Sequence, residues 1–276
     1  MVLRFCIALS CLLPLACGGD DDDDGVADES EGEGSNTNGS TAGSTNGSTN
    51  GSTNASTSAE SGEPATDCDF DGSFDGNAGS WPSPWENLGG TTSADVVDGR
   101  ARLVPMTSNY SLGRMFVPMD CTDAEVSFKF EFTDASQGIG VYVRQNGGRL
   151  QATTPPGAGY AVFIENFRAP QGIGVWYEVD GVETLIQQVV SFPIETGVLY
   201  GARVRVTQMS AGTTVLQARM WRDGDAEPTT WQVERTDSMP TLQNVGGGLA
   251  IDSYSSRTSG AAADLFIDDV VMRAAD

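Results

Sequence analysis

The chain has 276 residues, and 38 acidic against 15 basic side chains give it a formal net charge of −23, with no histidine. Such a charge argues against nucleic acid and anionic lipid as partners. The lack of histidine removes Ser-His-Asp and Cys-His nucleophile systems and every His-ligated zinc site, so any chemistry must rest on carboxylates, tyrosine or an oxygen-bound cation.

In chain order, residues 1–16 read as an export signal. Arg4 supplies a positive start, and Phe5 to Leu15 is an apolar run too short to span a bilayer. The segment closes on "LPLAC", with Ala16 before Cys17. It resembles a bacterial lipoprotein signal, which implies cleavage before Cys17 and acylation of that cysteine; Cys11 after "ALS" is a second candidate, and an ordinary secretory signal is the alternative. The expected location is therefore the bacterial cell envelope, at the outer membrane or cell surface, with the membrane touched through the lipid alone. Residues 17–66 carry "GGDDDDDG" and then an Asn-Gly-Ser-Thr repeat with almost no apolar residue. Nothing there offsets the entropy of ordering, so a disordered linker is expected. About 50 residues of such a linker reach roughly 40 Å. Of the five cysteines, Cys6 and Cys11 leave with the signal and Cys17 is the anchor, so Cys68 and Cys121 remain as a pair in an oxidising compartment and are expected to be bonded.

Residues 67–276 suffice for one domain with its own core. Period-2 alternation runs through it. "AEVSFKFEF" sets Val126, Phe128, Phe130 and Phe132 against Ser127, Lys129 and Glu131; "GARVRVTQ" and "VLQARMW" alternate in the same way. Asp98-Gly99, Asn146-Gly147, Asp180-Gly181, Ser210 to Gly212 and Asp223-Gly224 are turn signals between strands. No segment has a helical pattern. The expected fold is all-β, a two-sheet antiparallel sandwich.

Several segments carry a resemblance: "DFDGSFDG" at the start, "GIGVYVR" and "GYAVFIE" in the middle, "ARMWRDGDAEPTTW" later and "LFIDDVVM" as the last strand. Together they resemble the concanavalin A-like lectin/glucanase superfamily, including its laminin-G-like jelly rolls. The resemblance implies that the first and last strands pair and that the segment from Trp221 to Trp231 forms a hairpin. It also implies a frequent structural Ca²⁺ where the first and last strands meet, for which Asp69, Asp71, Asp268 and Asp269 are the candidates. "DCDFDGSFDGNA" begins like a calcium loop, but its twelfth position is Ala78 and no helices flank it, so it is not an EF-hand. Against the Ca²⁺ site stands a plain solvated acidic edge. No other cofactor is expected.

The superfamily holds lectins, adhesion modules and glycosidases, so function must come from the site. "YEVDGVETL" places Glu178, Asp180 and Glu183 at the spacing of the catalytic strand of its hydrolases. By that resemblance Glu178 is nucleophile, Asp180 its helper and Glu183 acid/base. The same residues read as a hairpin, because Asp180-Gly181 is a type I′ turn signal and a turn breaks the continuous strand that this chemistry needs. The hairpin reading is preferred, and it makes Glu178 and Glu183 cross-strand partners. If Ile139, Val141, Val143, Val175 and Tyr177 face the core, then Tyr142, Arg144, Trp176 and Glu178 face outward, and Glu165 joins them. An aromatic beside Arg and Glu on one sheet face suits a sugar, by stacking and by bonds to hydroxyls. The plain alternative is a salt-bridge lattice on a solvated face, and the outward set Arg203, Arg205, Arg219 and Trp221 is read as such a lattice. Trp81, Trp85 and Trp231 read as core or loop packing. The expected function is a surface-tethered, non-catalytic module that binds polysaccharide or a surface glycan. The alternatives are a glycoside hydrolase using Glu178 and Glu183, or an adhesion module with a protein partner.

Overall fold

The computed structural model describes residues 68–106, 112–150, 155–257 and 259–276. The signal, Cys17 and the linker expected over residues 17–66 lie outside the described residues.

Two antiparallel sheets form the domain. The first contains β1 (Phe70–Gly72), β2 (Gly79–Ser80), β4 (Thr91–Val97), β5 (Arg100–Pro105), β7 (Ala124–Phe132), β13 (Leu199–Ser210), β14 (Thr213–Arg222), β15 (Val233–Asp237) and β17 (Leu265–Ala274). Its order is β15-β14-β13-β7-β17-β5-β4-β2, with β1 also on β17. The second contains β3 (Glu86–Gly89), β6 (Leu112–Val117), β8 (Gln137–Gln145), β9 (Gly159–Glu165), β10 (Gly172–Val179), β11 (Val182–Leu185), β12 (Val190–Ser191) and β16 (Gly248–Ser255). Its order is β11-β10-β9-β8-β16-β6-β3, with β12 also on β10. Among the described residues the only helical piece is a 3₁₀ turn at Pro240–Leu242.

Alternation builds this arrangement. β7 buries every second residue, and Val126, Phe128, Phe130 and Phe132 enter the core between the sheets. Facing them come Ile139, Val141, Val143, Tyr160, Val162, Ile164, Ile173, Val175, Leu249 and Ile251 from the second sheet. At about 25 cal/mol per Å² of apolar area, this interior is the main favourable term in folding. β1 pairs with β17, Phe70 opposite Met272, as the resemblance implies for the first and last strands. β14 and β15 are antiparallel neighbours, so the segment from Trp221 to Trp231 does join a hairpin. Trp81 and Trp85 are buried in the core.

The Asp-Gly turns hold where they join strands directly. Asp98 and Gly99 have φ of 53° and 75°, and Asp180 and Gly181 have φ of 53° and 71°. Positive φ at both central residues is what a type I′ hairpin requires. Asn146-Gly147 instead opens a loop between β8 and β9. Cys68 and Cys121 are bonded across 53 positions, as their pairing by elimination required.

Candidate functional site

The outer face of the second sheet carries a second hydrophobic cluster, made of Phe116, Tyr142, Ala161, Phe163, Trp176, Ala250 and Tyr254. All but Tyr254 are strand neighbours of core residues, and Tyr254 lies four positions after Ala250 in the same strand, so alternation puts each on this face. Glycines then shape the face. Gly140 is the register partner of Phe163, and Gly138 that of Tyr254. A methyl on Gly140 would stand 2.6 Å from Phe163 Cε1, one on Gly174 would stand 2.7 Å from Trp176 Cζ3, and one on Gly138 would overlap the Tyr254 ring. Three aromatic rings therefore rest on glycine backbone. Phe163 also meets Tyr142, Trp176 and Tyr254 edge-on at 5.7, 5.0 and 5.4 Å.

A cleft of about 310 Å³ opens over these rings, lined by Phe163, Trp176, Tyr254, Leu112, Leu150 and Phe167, and by the polar Glu165, Arg168 and Glu183. Its size falls at the small end of ligand sites, and its wall has their usual mix of aromatic surface and a few polar groups. Glu165 accepts a hydrogen bond from Tyr254 Oη at 2.8 Å and pairs with Arg168, whose side chain is half exposed.

Behind the cleft lies a charged cluster. Arg114 in β6 donates to both Asp252 oxygens at 2.7 Å, to the Gly148 carbonyl at 2.7 Å and to Glu178 Oε2 at 3.1 Å. Its guanidinium lies 4.4 Å from the centre of the Tyr142 ring. Arg114 is 3% exposed, and Asp252 and Glu178 are fully covered. The β10–β11 hairpin sets Glu183 opposite Glu178, and Tyr142 donates its hydroxyl proton to Glu183 Oε1. Two carboxylates thus share one arginine, and a third is held beside them by Tyr142. Burial pushes Glu178 up to about 7; Arg114 opposes this and Asp252 adds to it. Burial likewise pushes Glu183 up to about 7, with Tyr142 opposing and Asp252 and Glu178 adding. Burial, Asp252 and Glu183 hold the Tyr142 hydroxyl well above its ordinary range. Among the described residues Glu178 Oε1 has no hydrogen-bond partner.

"YEVDGVETL" is thus a corner, as preferred, and the corner itself assembles a carboxylate pair. Asp180 is exposed at the turn and takes no part, so the catalytic strand of three carboxylates does not exist here. Tyr142, Glu165, Trp176 and Glu178 do share one face. Only Glu165 and Trp176 line the cleft; Tyr142 and Glu178 lie beneath it and support Glu183 and Arg114.

Arg144 corrects the alternation. The pairing of β8 with β16 slips between Gly248 and Ala250, and Arg144 has φ of 54°. Such a bulge turns a side chain to the other face. Arg144 enters the interior, where it donates to the carbonyls of Thr122 and Leu242 at 2.7 Å and lies over Tyr160.

The four aspartates proposed for Ca²⁺ are not brought together either. Among the described residues no three Asp, Glu, His or Cys side chains converge as metal ligands. Asp71 faces Arg273 at 3.7 Å, Asp269 pairs with Lys129 at 3.1 Å, and Asp268 accepts from the Asp269 amide. Asp69 is exposed. A bulge lies between Asp268 and Val271, with φ of 49° at Asp269.

Arg114, Asp252, Phe163 and Tyr254 escaped the sequence reading. The signal was present: "LGRMFV" and "GLAIDSYS" each set one charged residue into an alternating apolar strand, a pattern that demands a buried partner.

No protein-family model matches the chain, and no curated protein matches it by sequence. Solved structures match it by shape. An alginate lyase, Aly36B, aligns at 13% identity and a TM-score of 0.54, covering 76% of this chain and 98% of its own. A mutant of the same enzyme, solved with an alginate trisaccharide, aligns at 13% identity and a TM-score of 0.51, covering 77% and 100%. A Bacillus subtilis protein of unknown function with a galectin-like fold aligns at 10% identity and a TM-score of 0.53, covering 75% and 96%. Two antiparallel sheets, paired first and last strands and these structural likenesses together give the domain a concanavalin A-like jelly-roll fold.

Proposed function

We propose that the domain binds a neutral carbohydrate, without cleaving it, in the cleft on the outer face of the second sheet. The observation that carries this reading is the cleft itself: Phe163, Trp176 and Tyr254 rest on glycines beside Glu165, Arg168 and Glu183. Apolar ring faces take the C–H face of a sugar, and carboxylates and guanidinium take its hydroxyls. The fold is one that elsewhere has been solved with an alginate trisaccharide. A net charge of −23 and the carboxylates behind the cleft disfavour an acidic polysaccharide here. The cleft-bearing domain is carried, on our reading, by an exported lipoprotein anchored at Cys17 and displayed on the linker. Affinity electrophoresis on neutral β-glucans and galactans tests the site. Wild-type retardation that Trp176→Ala and Glu183→Ala both abolish, each variant still folded at the temperature of the gel, is the expected result; no retardation on any neutral glycan would sink it.

A second reading, glycoside hydrolysis by Glu178 and Glu183, draws on their cross-strand placement and on pKa values of about 7 for both. A general acid with such a value is common in glycosidases. Against it, Glu178 is fully covered, its Oε2 is held by Arg114, and it does not line the cleft. A nucleophile must reach the anomeric carbon. Release of reducing ends by the wild type, lost in both Glu178→Gln and Glu183→Gln, would replace the binding reading by this one.

A further inference from the structure

We propose that the outer face of the first sheet holds a second carbohydrate contact, one pyranose ring wide and centred on Trp221. The construction that floors the cleft on the second sheet recurs there. Gly201 in β13 is the register partner of Trp221 in β14. A methyl on Gly201 would fall 2.6 Å from Trp221 Cε2 and Cζ2 and 2.9 Å from Nε1. Three ring atoms at nearly one distance from one point mean that the indole covers the glycine with its face. Side chains on a sheet ordinarily stand off it, and the missing side chain at Gly201 is what lets this ring lie down.

The rest of the ring borders a groove. Trp221 is partly exposed, and among the described residues no arginine or lysine is stacked on it. Trp231 makes the contrast on the same face, since Arg219 covers its ring at 4.3 Å and Arg205 at 5.5 Å. Beside Trp221 opens a groove of about 180 Å³ whose rim includes Lys129, Arg203, Asp223 and Asp269. Lys129 Nζ lies 3.3 Å from Asp223 and 3.1 Å from Asp269. Donors and carboxylate acceptors therefore both border an apolar plate.

One ligand class matches that combination: a neutral pyranose, whose C–H face stacks on the indole and whose hydroxyls both donate and accept. The groove is too small for an oligosaccharide to be enclosed, so a single ring is read. Because β13 and β14 belong to the sheet opposite the cleft, this contact is independent of the cleft reading. Two contacts on opposite faces would let one domain grip two strands of a polysaccharide at once, which raises retention on polymer far above affinity for a monosaccharide.

The test is a titration of the ¹⁵N-labelled full chain with methyl β-glucoside, methyl β-galactoside and methyl α-mannoside, following the tryptophan indole N–H signals. Trp221 is assigned by Trp221→Phe and Trp176 by Trp176→Phe. The Trp221 signal should move with at least one glycoside, and Trp176→Ala should leave that response intact. On a gel holding the matching polysaccharide, Trp221→Ala should lose about tenfold in retention, the loss of roughly one stacking contact. A Trp221 signal unmoved by all three glycosides overturns the proposal, as does wild-type retention of a folded Trp221→Ala. If Trp221→Ala does not fold, the wild-type titration decides alone. A response at Trp176 alone keeps the cleft and refutes this contact, and a response at Trp221 alone does the reverse.

Discussion

Glu178 is a carboxyl group held where water does not reach, and one glycine makes the space for it. A side chain at Gly157 would overlap the Glu178 carboxyl group. Gly157→Ala should push Glu178 off Arg114 and cost about 1–3 kcal/mol, the usual range for overpacking. In a Glu178→Ala background the same change should cost far less, and urea unfolding of the four proteins measures that coupling. Equal costs in both backgrounds would mean that Gly157 serves its loop and not Glu178. The protonation of the pair sets a second expectation. Glu178 and Glu183 have values near 7 when folded, against 4.5 for an ordinary glutamate. The folded chain thus keeps protons, between pH 4.5 and about 7, that the unfolded chain has released. Their contribution to stability is complete below pH 4.5 and is lost as pH rises through about 7. Glu178→Gln removes one titrating group and, with it, the charge that helps raise Glu183. Calorimetry should show the fall in Tm between pH 5 and 8 become shallower in Glu178→Gln than in the wild type. Parallel profiles would show that the pair does not titrate in this window.

At the scale of elements, the β10–β11 hairpin is the piece that joins fold to site. Its Asp180-Gly181 turn was legible because two consecutive residues had to accept positive φ, and Asp-Gly is the pair that does so. Gly181→Val would force a β-branched residue into φ of 71° and should cost about 1–2 kcal/mol, or roughly 2–8 °C in Tm. It should also weaken glycan retention, since the register of Glu183 depends on the turn; an unchanged melting point would contradict the strain argument. The face of each strand was legible for the same reason of period: Tyr142, Glu165, Trp176 and Glu178 share one side. What period could not give was depth or interruption. Tyr142 meets Glu183 of β11, 41 positions away, Glu178 meets Arg114 of β6, 64 positions away, and Arg144 is reversed by a bulge that no local pattern announces. Arg203, Arg205 and Arg219 form the expected lattice, with Glu125 and Glu227 bridging them at 2.5–2.6 Å, whereas among the described residues no arginine or lysine stacks on Trp221 of the same outward set. Being partly solvated, these pairs add little stability each.

At the scale of the whole molecule, the sandwich is closed at its ends by covalent and backbone means. The Cys68–Cys121 bond ties the start of the domain to the residues before β7, across 53 positions. A loop of that length stabilises by roughly 3–4 kcal/mol in the chain-entropy model. Removing the bond by Cys68→Ala with Cys121→Ala should therefore lower Tm by roughly 6–16 °C while leaving the cleft's ligand response intact. The proposed display of this domain rests on chemistry at the other end of the sequence. Cys17 after "LPLA", followed by an Asp-rich and Asn-Gly-Ser-Thr segment, suits a lipid anchor with a polar tether. One acyl chain binds a membrane only marginally, and stable anchoring needs a second signal or chain. With a surface charge of this sign the protein itself supplies no electrostatic second signal, so the attachment has to be carried by lipid alone. Cys17→Ser should accordingly shift the protein wholly from the membrane fraction to the soluble fraction, and mass spectrometry should find acyl groups on the wild-type N-terminus only. Membrane retention of Cys17→Ser, together with an unmodified wild type, would show that this cysteine is not the anchor, and Cys11→Ser then becomes the variant to compare.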